Sequence, residues 1–164
     1  MEAQFVGIQD QMRSFAGTAA KYAESFNVEL DYSKGSISEV EKILDYYSQD
    51  LKNCNPEEKP TEKQIWSMAT IWGAYIGEVM RQELGLDYQW TNEEAFGNRT
   101  PHIRKAKMGT FPIDKVYKRL VNGVEDNTVT YFDISMEQLK GKCELPSGHV
   151  LYIKGDGSKG HTIK

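Results

Sequence analysis

The chain has 164 residues, of which 39% are hydrophobic and 27% are charged, as in ordinary globular proteins. This length suits one domain with its own core, which we expect to span residues 1–164. The sequence has no apolar stretch long enough to cross a bilayer, and its N-terminus lacks the pattern of a signal peptide. We therefore predict a cytoplasmic protein without a membrane partner. Cys54 and Cys143 lie far apart without a CxxC motif, which favours two unpaired thiols.

The charge is unevenly distributed along the chain, although the net charge is only −4. Residues 1–98 hold 8 Lys/Arg against 17 Asp/Glu, whereas residues 99–119 hold 7 Lys/Arg against one acid, Asp114. Such an asymmetry can steer a charged partner. It can also be neutralised internally when the chain folds, and that outcome is the commoner one.

The N-terminal part predicts two amphipathic helices with a short strand between them. Apolar residues recur every three or four positions over 1–26, which indicates a long helix. Val28, Leu30 and Tyr32 alternate with acids, as in a half-buried strand. Ser36 then forms a capping box with Glu39 and opens a helix over 37–52.

The segment from Thr61 to Gly85 predicts a buried central helix over 62–84. Thr61 and Gln64 match a capping box, and Gly85 supplies the residue that ends the helix. Apolar residues lie on nearly every side of this helix, which is typical of a helix inside a core. Gly73 and Gly77 lower helix propensity, so we predict that they have a structural role and allow another backbone to approach closely.

The remaining residues predict shorter elements. The patterns indicate strands at Leu86–Trp90, His102–Met108 and His149–Lys154 and a helix from Asp114 to Val121. After a glycine-rich turn at 155–160, residues 161–164 are either the second strand of a hairpin or a loose end. Residues 125–140 fit a helix opened by Asp126 better than the strand that Thr128–Phe132 would allow. The predicted fold is an α+β domain with three N-terminal helices beside a small, mostly antiparallel sheet, and shorter C-terminal helices.

Three blocks of sequence together resemble a known family: Leu30–Asp45, Trp72–Trp90 and Phe111–Phe132. The second contains GAYIGEVMRQELG, which matches the family pattern GxYxGEvxRxxLG, and the third contains Pro-x-x-Lys-Val-x-x-Arg-Leu. Their order and spacing are similar to those of small uncharacterised bacterial domains, a domain of unknown function, over about residues 28–135. The resemblance brings no catalytic residues, but it associates some members with immunity against secreted toxins.

Glu78 and Arg81 are the ionisable pair on the central helix, three residues apart on one face. A carboxylate beside an arginine on an apolar helix can act as an acid or base, and His102 would complete such an enzyme. A structural role, in which both residues fix the packing of the helix, is the favoured interpretation. The histidines and cysteines show no ligand spacing, so we expect neither a metal nor a cofactor.

The favoured function is a non-enzymatic, protein-binding one, with a toxin as the partner, and a basic toxin would suit the acidic half of the chain. A nucleic-acid binder that uses the basic segment 99–119 is a further alternative, although its cations are spread over several elements. We predict the partner-binding residues on exposed acidic faces and loops, with an aromatic anchor. They are Glu41, Asp45, Trp90, Glu93 and Glu94, with Tyr46 and Tyr88 as further aromatic candidates.

Overall fold

Five α-helices and a sheet make up the computed structural model, which describes residues 7–95, 97–140 and the backbone of 149–153 and 159–163. The helices are α1 (Ile8–Glu24), α2 (Ser36–Asn53), α3 (Glu62–Leu84), α4 (Pro112–Asn122) and α5 (Thr128–Lys140). The strands are β1 (Gln89–Thr91), β2 (His102–Lys105), β3 (Met108–Thr110), β4 (His149–Ile153) and β5 (Lys159–Ile163). This arrangement confirms the predicted α+β class.

Helix α3 lies at the centre, as its sequence predicts. Thr61 caps it in a complete capping box with Gln64, and Gly85 ends it with a positive φ of 109°. Trp72 and Ile76 are fully buried, and one hydrophobic cluster joins residues from all five helices and from β1 and β2. No helix in the described part of the chain has the length and apolarity needed to cross a membrane.

The sheet has the order β1-β2-β3-β4-β5, and only the β3–β4 pairing is parallel. A side chain of α1 forms hydrogen bonds with the edge of the outer strand β1. The Gln9 amide donates from Nε2 to the Trp90 carbonyl at 2.7 Å, and the Trp90 N–H donates to Gln9 Oε1 at 3.0 Å. Helix α1 is thereby fixed to the sheet at one residue.

The two glycines of α3 mark its closest contacts. A Cβ at Gly73 would lie 2.6 Å from Cα of Ile113 on α4, which confirms the predicted approach of another backbone. A Cβ at Gly77 would instead collide with the indole ring of Trp90. The prediction of a neighbouring backbone is therefore wrong at Gly77, where the glycine makes room for a large side chain.

The N-terminal predictions need two corrections. Residues 28–32 belong to no strand, because the backbone takes a positive φ at Asn27 and again at Tyr32 and pairs with none of the strands described. The Tyr32 N–H donates to the Tyr75 hydroxyl at 2.9 Å instead of to a sheet. The capping box predicted for α2 is also absent, since Ser36 is already helical and its hydroxyl donates to the carbonyl of Ser33.

The C-terminal predictions are corrected at two further points. Residues 102–108 form two strands of a hairpin, because Ala106 takes a positive φ of 50° and reverses the chain. Helix α4 starts at Pro112, which suits the first helical position, so Asp114 lies in the first turn and is not the cap. Residues 128–140 are helical, which confirms the favoured alternative for that segment. Residues 154–158 and 164, parts of the predicted tail hairpin, and Cys143 lie outside the described residues.

Candidate functional site

Glu78 and Arg81 form an ion pair that connects α3 to the strand after it. Arg81 Nη1 lies 2.9 Å from Glu78 Oε2, and Arg81 Nε donates to the Tyr88 carbonyl at 2.8 Å. The Trp90 indole N–H donates to the same carboxylate oxygen at 3.1 Å. Both charged side chains therefore hold the α3–β1 connection in place, as the structural interpretation of this pair expects. Breaking either one leaves a partly buried charge without its partner.

The Glu78 side chain also lines a surface pocket of about 420 Å³. Arg13 on α1 approaches the other carboxylate oxygen, Oε1, with an Nε–Oε1 distance of 3.9 Å, too long for a hydrogen bond. Six residues line the pocket: Arg13, Tyr32, Glu78, Arg81, Gln82 and Leu86. Burial, and then the charge of Glu78, raise the pKa of the Tyr32 phenol. This pocket, called here the Glu78 pocket, therefore combines charged, hydrogen-bonding and apolar groups.

His102 lies in a different network from Glu78. It is fully buried on β2, its ring stacks on Phe111 at 4.4 Å, and its Nδ1 is 3.1 Å from the Thr100 carbonyl. Burial lowers the pKa of His102, which favours its neutral form. Glu78 contacts Arg13, Arg81 and Trp90. These contacts do not include His102, so they do not support the enzyme alternative, in which His102 acts together with Glu78.

Asp114 on α4, which hydrogen bonds through Asn98 and Thr100 connect to His102, is an ionisable group that the sequence did not single out as part of a site. Asn98 Nδ2 donates to its Oδ2 at 2.6 Å, and Asn98 Oδ1 in turn accepts from the Thr100 hydroxyl at 2.6 Å. Burial raises the pKa of Asp114. A raised carboxyl pKa and a lowered imidazole pKa in one region can indicate acid–base chemistry. Here His102 has no exposed surface, so the two groups serve to order the loop between β1 and β2.

Arg119 on α4 is the centre of a second buried ion-pair cluster. It pairs with two of the residues that were predicted to bind a partner. The guanidinium lies 2.9 Å from Glu41 and 2.7 Å from Asp45, both on α2. Glu41 also accepts hydrogen bonds from the backbone and hydroxyl of Thr128 at 2.9 and 2.8 Å. The Glu41 side chain is only 13% exposed, so its assignment as a partner contact is wrong, whereas Asp45 keeps 44% of its surface.

The basic segment 99–119 is largely neutralised within the fold. Arg119 pairs with α2, and Lys115 pairs with Asp126 at 3.0 Å while 4% exposed. Arg104 lies 3.4 Å from Glu93, and Lys105 lies 3.7 Å from Asp87. Four of the seven cations are thus engaged, and two of those are buried, which weakens the nucleic-acid alternative because phosphate binding requires accessible charges on one face.

The aromatic residue predicted to anchor a partner, Trp90, is buried in the structure. Trp90 and Tyr88 are 2% and 3% exposed, so neither can contact a partner, and the assignment of Trp90 is wrong. Tyr46 on α2 is 58% exposed. In the loop after β1, Glu93 and Glu94 are exposed as predicted, and Glu93 shares its charge with Arg104.

Tyr46 belongs to a group of aromatic side chains at the surface of α1 and α2. Its ring meets Phe26 edge-on at 5.3 Å and Tyr47 at 5.8 Å. Along α1, Phe15 and Tyr22 are seven residues apart on one face, and they are 37% and 42% exposed. This group, called here the aromatic patch, consists of Phe15, Tyr22, Phe26 and Tyr46. Gln11 and Thr18, which are uncharged, lie next to them on the same face of α1.

A larger cleft, of about 830 Å³, opens between α2, the N-terminus of α3 and α4. Leu51, Ile65 and Leu120 form its apolar part, and Lys59 and Glu62 line its rim. Tyr117 donates to Glu62 at 2.6 Å, and its ring stacks on Trp66 at 4.0 Å. The cleft has charges of both signs at its rim, so its electrostatics do not select a ligand.

The described part of the chain shows few features of metal-binding or thiol chemistry. That part contains no group of three or more His, Cys, Asp or Glu residues placed to hold a metal ion. Cys54 is a free thiol whose Sγ lies 3.4 Å from the Leu51 carbonyl. Comparisons of the whole chain with protein-family models, curated proteins and solved structures give no significant match.

Proposed function

We propose that this chain is a non-enzymatic, protein-binding domain that contacts its partner through the aromatic patch. The observation that carries the proposal is the exposure of three aromatic side chains, Tyr46 on α2 and Tyr22 and Phe15 on α1. Interface cores are depleted in charge and enriched in aromatic residues, and a tyrosine supplies a large contact area at low cost in conformational entropy. The edge-on contact of Tyr46 with Phe26 also limits the freedom of the ring before binding.

The charge around this surface favours a basic partner. Residues 7–95 hold an acidic surplus of eight, with 16 Asp/Glu against 8 Lys/Arg. Four cations from later in the chain, Arg104, Lys105, Arg119 and Lys140, form ion pairs with these residues. A surplus of four negative charges therefore remains, and exposed carboxylates such as Glu24 and Asp50 lie on the same helices as the patch. Opposite charge would accelerate association with a basic protein.

Within this class, neutralisation of a bacterial toxin is the specific function that we propose. It rests on the resemblance of the GAYIGEVMRQELG segment to a family that includes apparent immunity proteins, and on the acidic surface of the described residues. An immunity protein acts by forming a tight stoichiometric complex, so a rigid aromatic anchor with acidic surroundings suits that task.

The test is co-purification with the product of the adjacent gene, followed by size-exclusion chromatography and titration calorimetry. We expect a stoichiometric complex that Tyr46→Ala weakens by at least about tenfold, as for an interface hot spot. Val124→Ala is the control, because Val124 is a 68% exposed apolar residue in the 3₁₀ turn after α4 and is not a member of the patch. Equal affinity of the Tyr46 variant, the control and the parent would contradict the assignment of the patch.

Two further measurements separate this proposal from the alternatives. Association should slow as salt rises, because the acidic surplus steers the partner. Charge reversal of Glu93 and Glu94 should weaken the complex if the loop after β1 contributes, while the melting temperature stays close to that of the parent. Salt-sensitive binding to generic DNA or RNA that depends on Lys107 would support the nucleic-acid alternative. Turnover of a substrate that is lost in a folded Glu78→Gln variant would refute the non-enzymatic assignment.

A further inference from the structure

The Glu78 pocket brings together two arginines from separate parts of the chain. Arg13 comes from α1 and is 66% exposed, and Arg81 comes from α3 and is 10% exposed. Arg81 uses Nε for the Tyr88 carbonyl and Nη1 for Glu78. Its remaining nitrogen, Nη2, meets no acceptor among the described residues. Arg13 donates from Nη1 to Asp10 at 3.4 Å, a long contact between two exposed side chains, and its other donors remain open to solvent.

The balance of charge in this pocket decides which ligand it suits. Two guanidinium groups and one carboxylate line it, so its lining carries one net positive charge. A cation bound at Glu78 Oε1 would add a third positive charge next to the two arginines, and like charges at close range repel each other. A monovalent anion would instead make the site neutral and fill guanidinium donors that lack acceptors.

The remaining lining residues restrict further the class of anion that the pocket suits. The side chain of Gln82 adds hydrogen-bonding groups, and Tyr32 adds a phenol. Leu86, with 79% of its surface exposed, and the Tyr32 ring form an apolar wall. Tyr32 is held over α3 by an unusual left-handed backbone with φ 62°, by the hydrogen bond to Tyr75 and by the contact of the two rings at 4.8 Å. A strained residue of this kind is often found at a ligand site.

We propose that the Glu78 pocket binds a carboxylate that carries an apolar substituent, with Arg13 and Arg81 as the groups that hold it. A free small carboxylic acid and the C-terminus of a polypeptide share this chemistry. The inference does not depend on the proposed function, because the pocket lies at α1, α3 and residue 86, whereas the aromatic patch uses another face of α1.

The experiment uses the full chain labelled with ¹⁵N and follows the indole N–H of Trp90, which donates to Glu78 and so reports on the pocket. Four probes are titrated at constant ionic strength: acetate, N-acetyl-leucine, N-acetyl-leucinamide and methylammonium. We expect saturable shifts of this resonance with the two carboxylates and none with the amide or the cation. We expect N-acetyl-leucine to bind more tightly than acetate, because its apolar side chain can contact Leu86 and the Tyr32 ring; equal binding of the two would overturn the apolar part of the proposal.

Arg13→Gln tests whether the site is built as proposed. Arg13 is exposed, so its variant should fold, and the carboxylates should bind it at least about tenfold more weakly because a charge-assisted hydrogen bond is lost. Lys21→Gln removes an exposed cation from the same helix outside the pocket and should bind like the parent. Shifts that do not saturate, equal affinity of the Arg13 variant and the parent, or saturable binding of methylammonium would each overturn the proposal.

Discussion

Replacing Gly73 by alanine adds one methyl group at the point where α3 and α4 are closest. The added Cβ would lie 2.6 Å from Cα, 2.8 Å from Cγ1 and 2.9 Å from N of Ile113. Carbon atoms in contact prefer a separation of about 3.5–4.0 Å, so α4 would have to retreat by about 1 Å. Two of these three atoms belong to the backbone, and a side-chain rotation therefore cannot relieve the collision.

The expected cost follows from two opposing effects. Alanine is better than glycine in a helix interior by about 1 kcal/mol, which favours the variant. Overpacking of a well-filled core typically costs about 1–3 kcal/mol and sometimes more. Here it is at the upper end, because the ion pairs of Lys115 and Arg119 anchor α4 against α2 and the 3₁₀ turn at Val124–Asp126. We expect Gly73→Ala to lower the free energy of unfolding by about 2 kcal/mol.

Thermal and urea denaturation, followed by circular dichroism, measure this effect. For a chain of this size a loss of 2 kcal/mol lowers the melting temperature by about 4–8 °C. Gly17→Ala in α1 is the matched control, because nothing lies within 4 Å of its added Cβ. The control should gain helix propensity alone and become more stable by up to about 1 kcal/mol. If both variants are stabilised alike, the packing argument at Gly73 is refuted.

Three further outcomes are expected. Gly77→Leu should destabilise by about 3 kcal/mol or more, because its side chain would occupy the space of the Trp90 ring; a melting temperature equal to that of the parent would contradict this. Glu41→Ala should cost about 3 kcal/mol in urea denaturation, because it removes one of the two carboxylates that pair with buried Arg119, whereas Glu39→Ala on the exposed side of α2 should change stability by less than about 1 kcal/mol. Burial lowers the pKa of His102, so below its unfolded value of about 6.5 the unfolded chain takes up a proton that the folded chain resists. Stability should therefore fall as the pH decreases from about 7 to 5.5, and His102→Gln should show a smaller decrease; parallel curves would rule out this residue as the cause.

The helices could be predicted because their signals are local. The period of apolar residues and the capping box at Thr61 depend on neighbours three or four positions away, and the structure places α2 and α3 within one residue of the predicted bounds. Helix α1 was predicted over 1–26 and begins only at Ile8, after Gly7, while residues 1–6 lie outside the described part of the chain. The strand expected at 28–32 failed because alternation describes side-chain exposure but not the presence of a pairing strand. The hairpin turn at Ala106 was missed because a left-handed alanine has no signal in its sequence.

The candidate site was harder to predict because its contacts are distant in sequence. Arg119 meets Glu41 across 78 residues, and nothing local marks this lysine- and arginine-rich helix as a partly buried one. Trp90 could not be recognised as buried, since alternation does not say which face of a strand meets the core. Its role beside Gly77 and Glu78 depends on how far α3 and β1 lie apart, which is a property of the whole fold.

The side-chain amide of Gln9 makes the two hydrogen bonds to Trp90 that a neighbouring strand would otherwise make. A primary amide offers the same donor and acceptor as a peptide group, so it occupies the outward-facing N–H and C=O of one β1 residue. An exposed strand edge is a template for pairing with other chains, and proteins commonly block such edges. Glutamate at this position would place a carboxylate against the Trp90 carbonyl, and asparagine would be one methylene shorter. Proteolytic loss of α1 would therefore do more than remove packing: it would open the sheet to intermolecular β-pairing and aggregation.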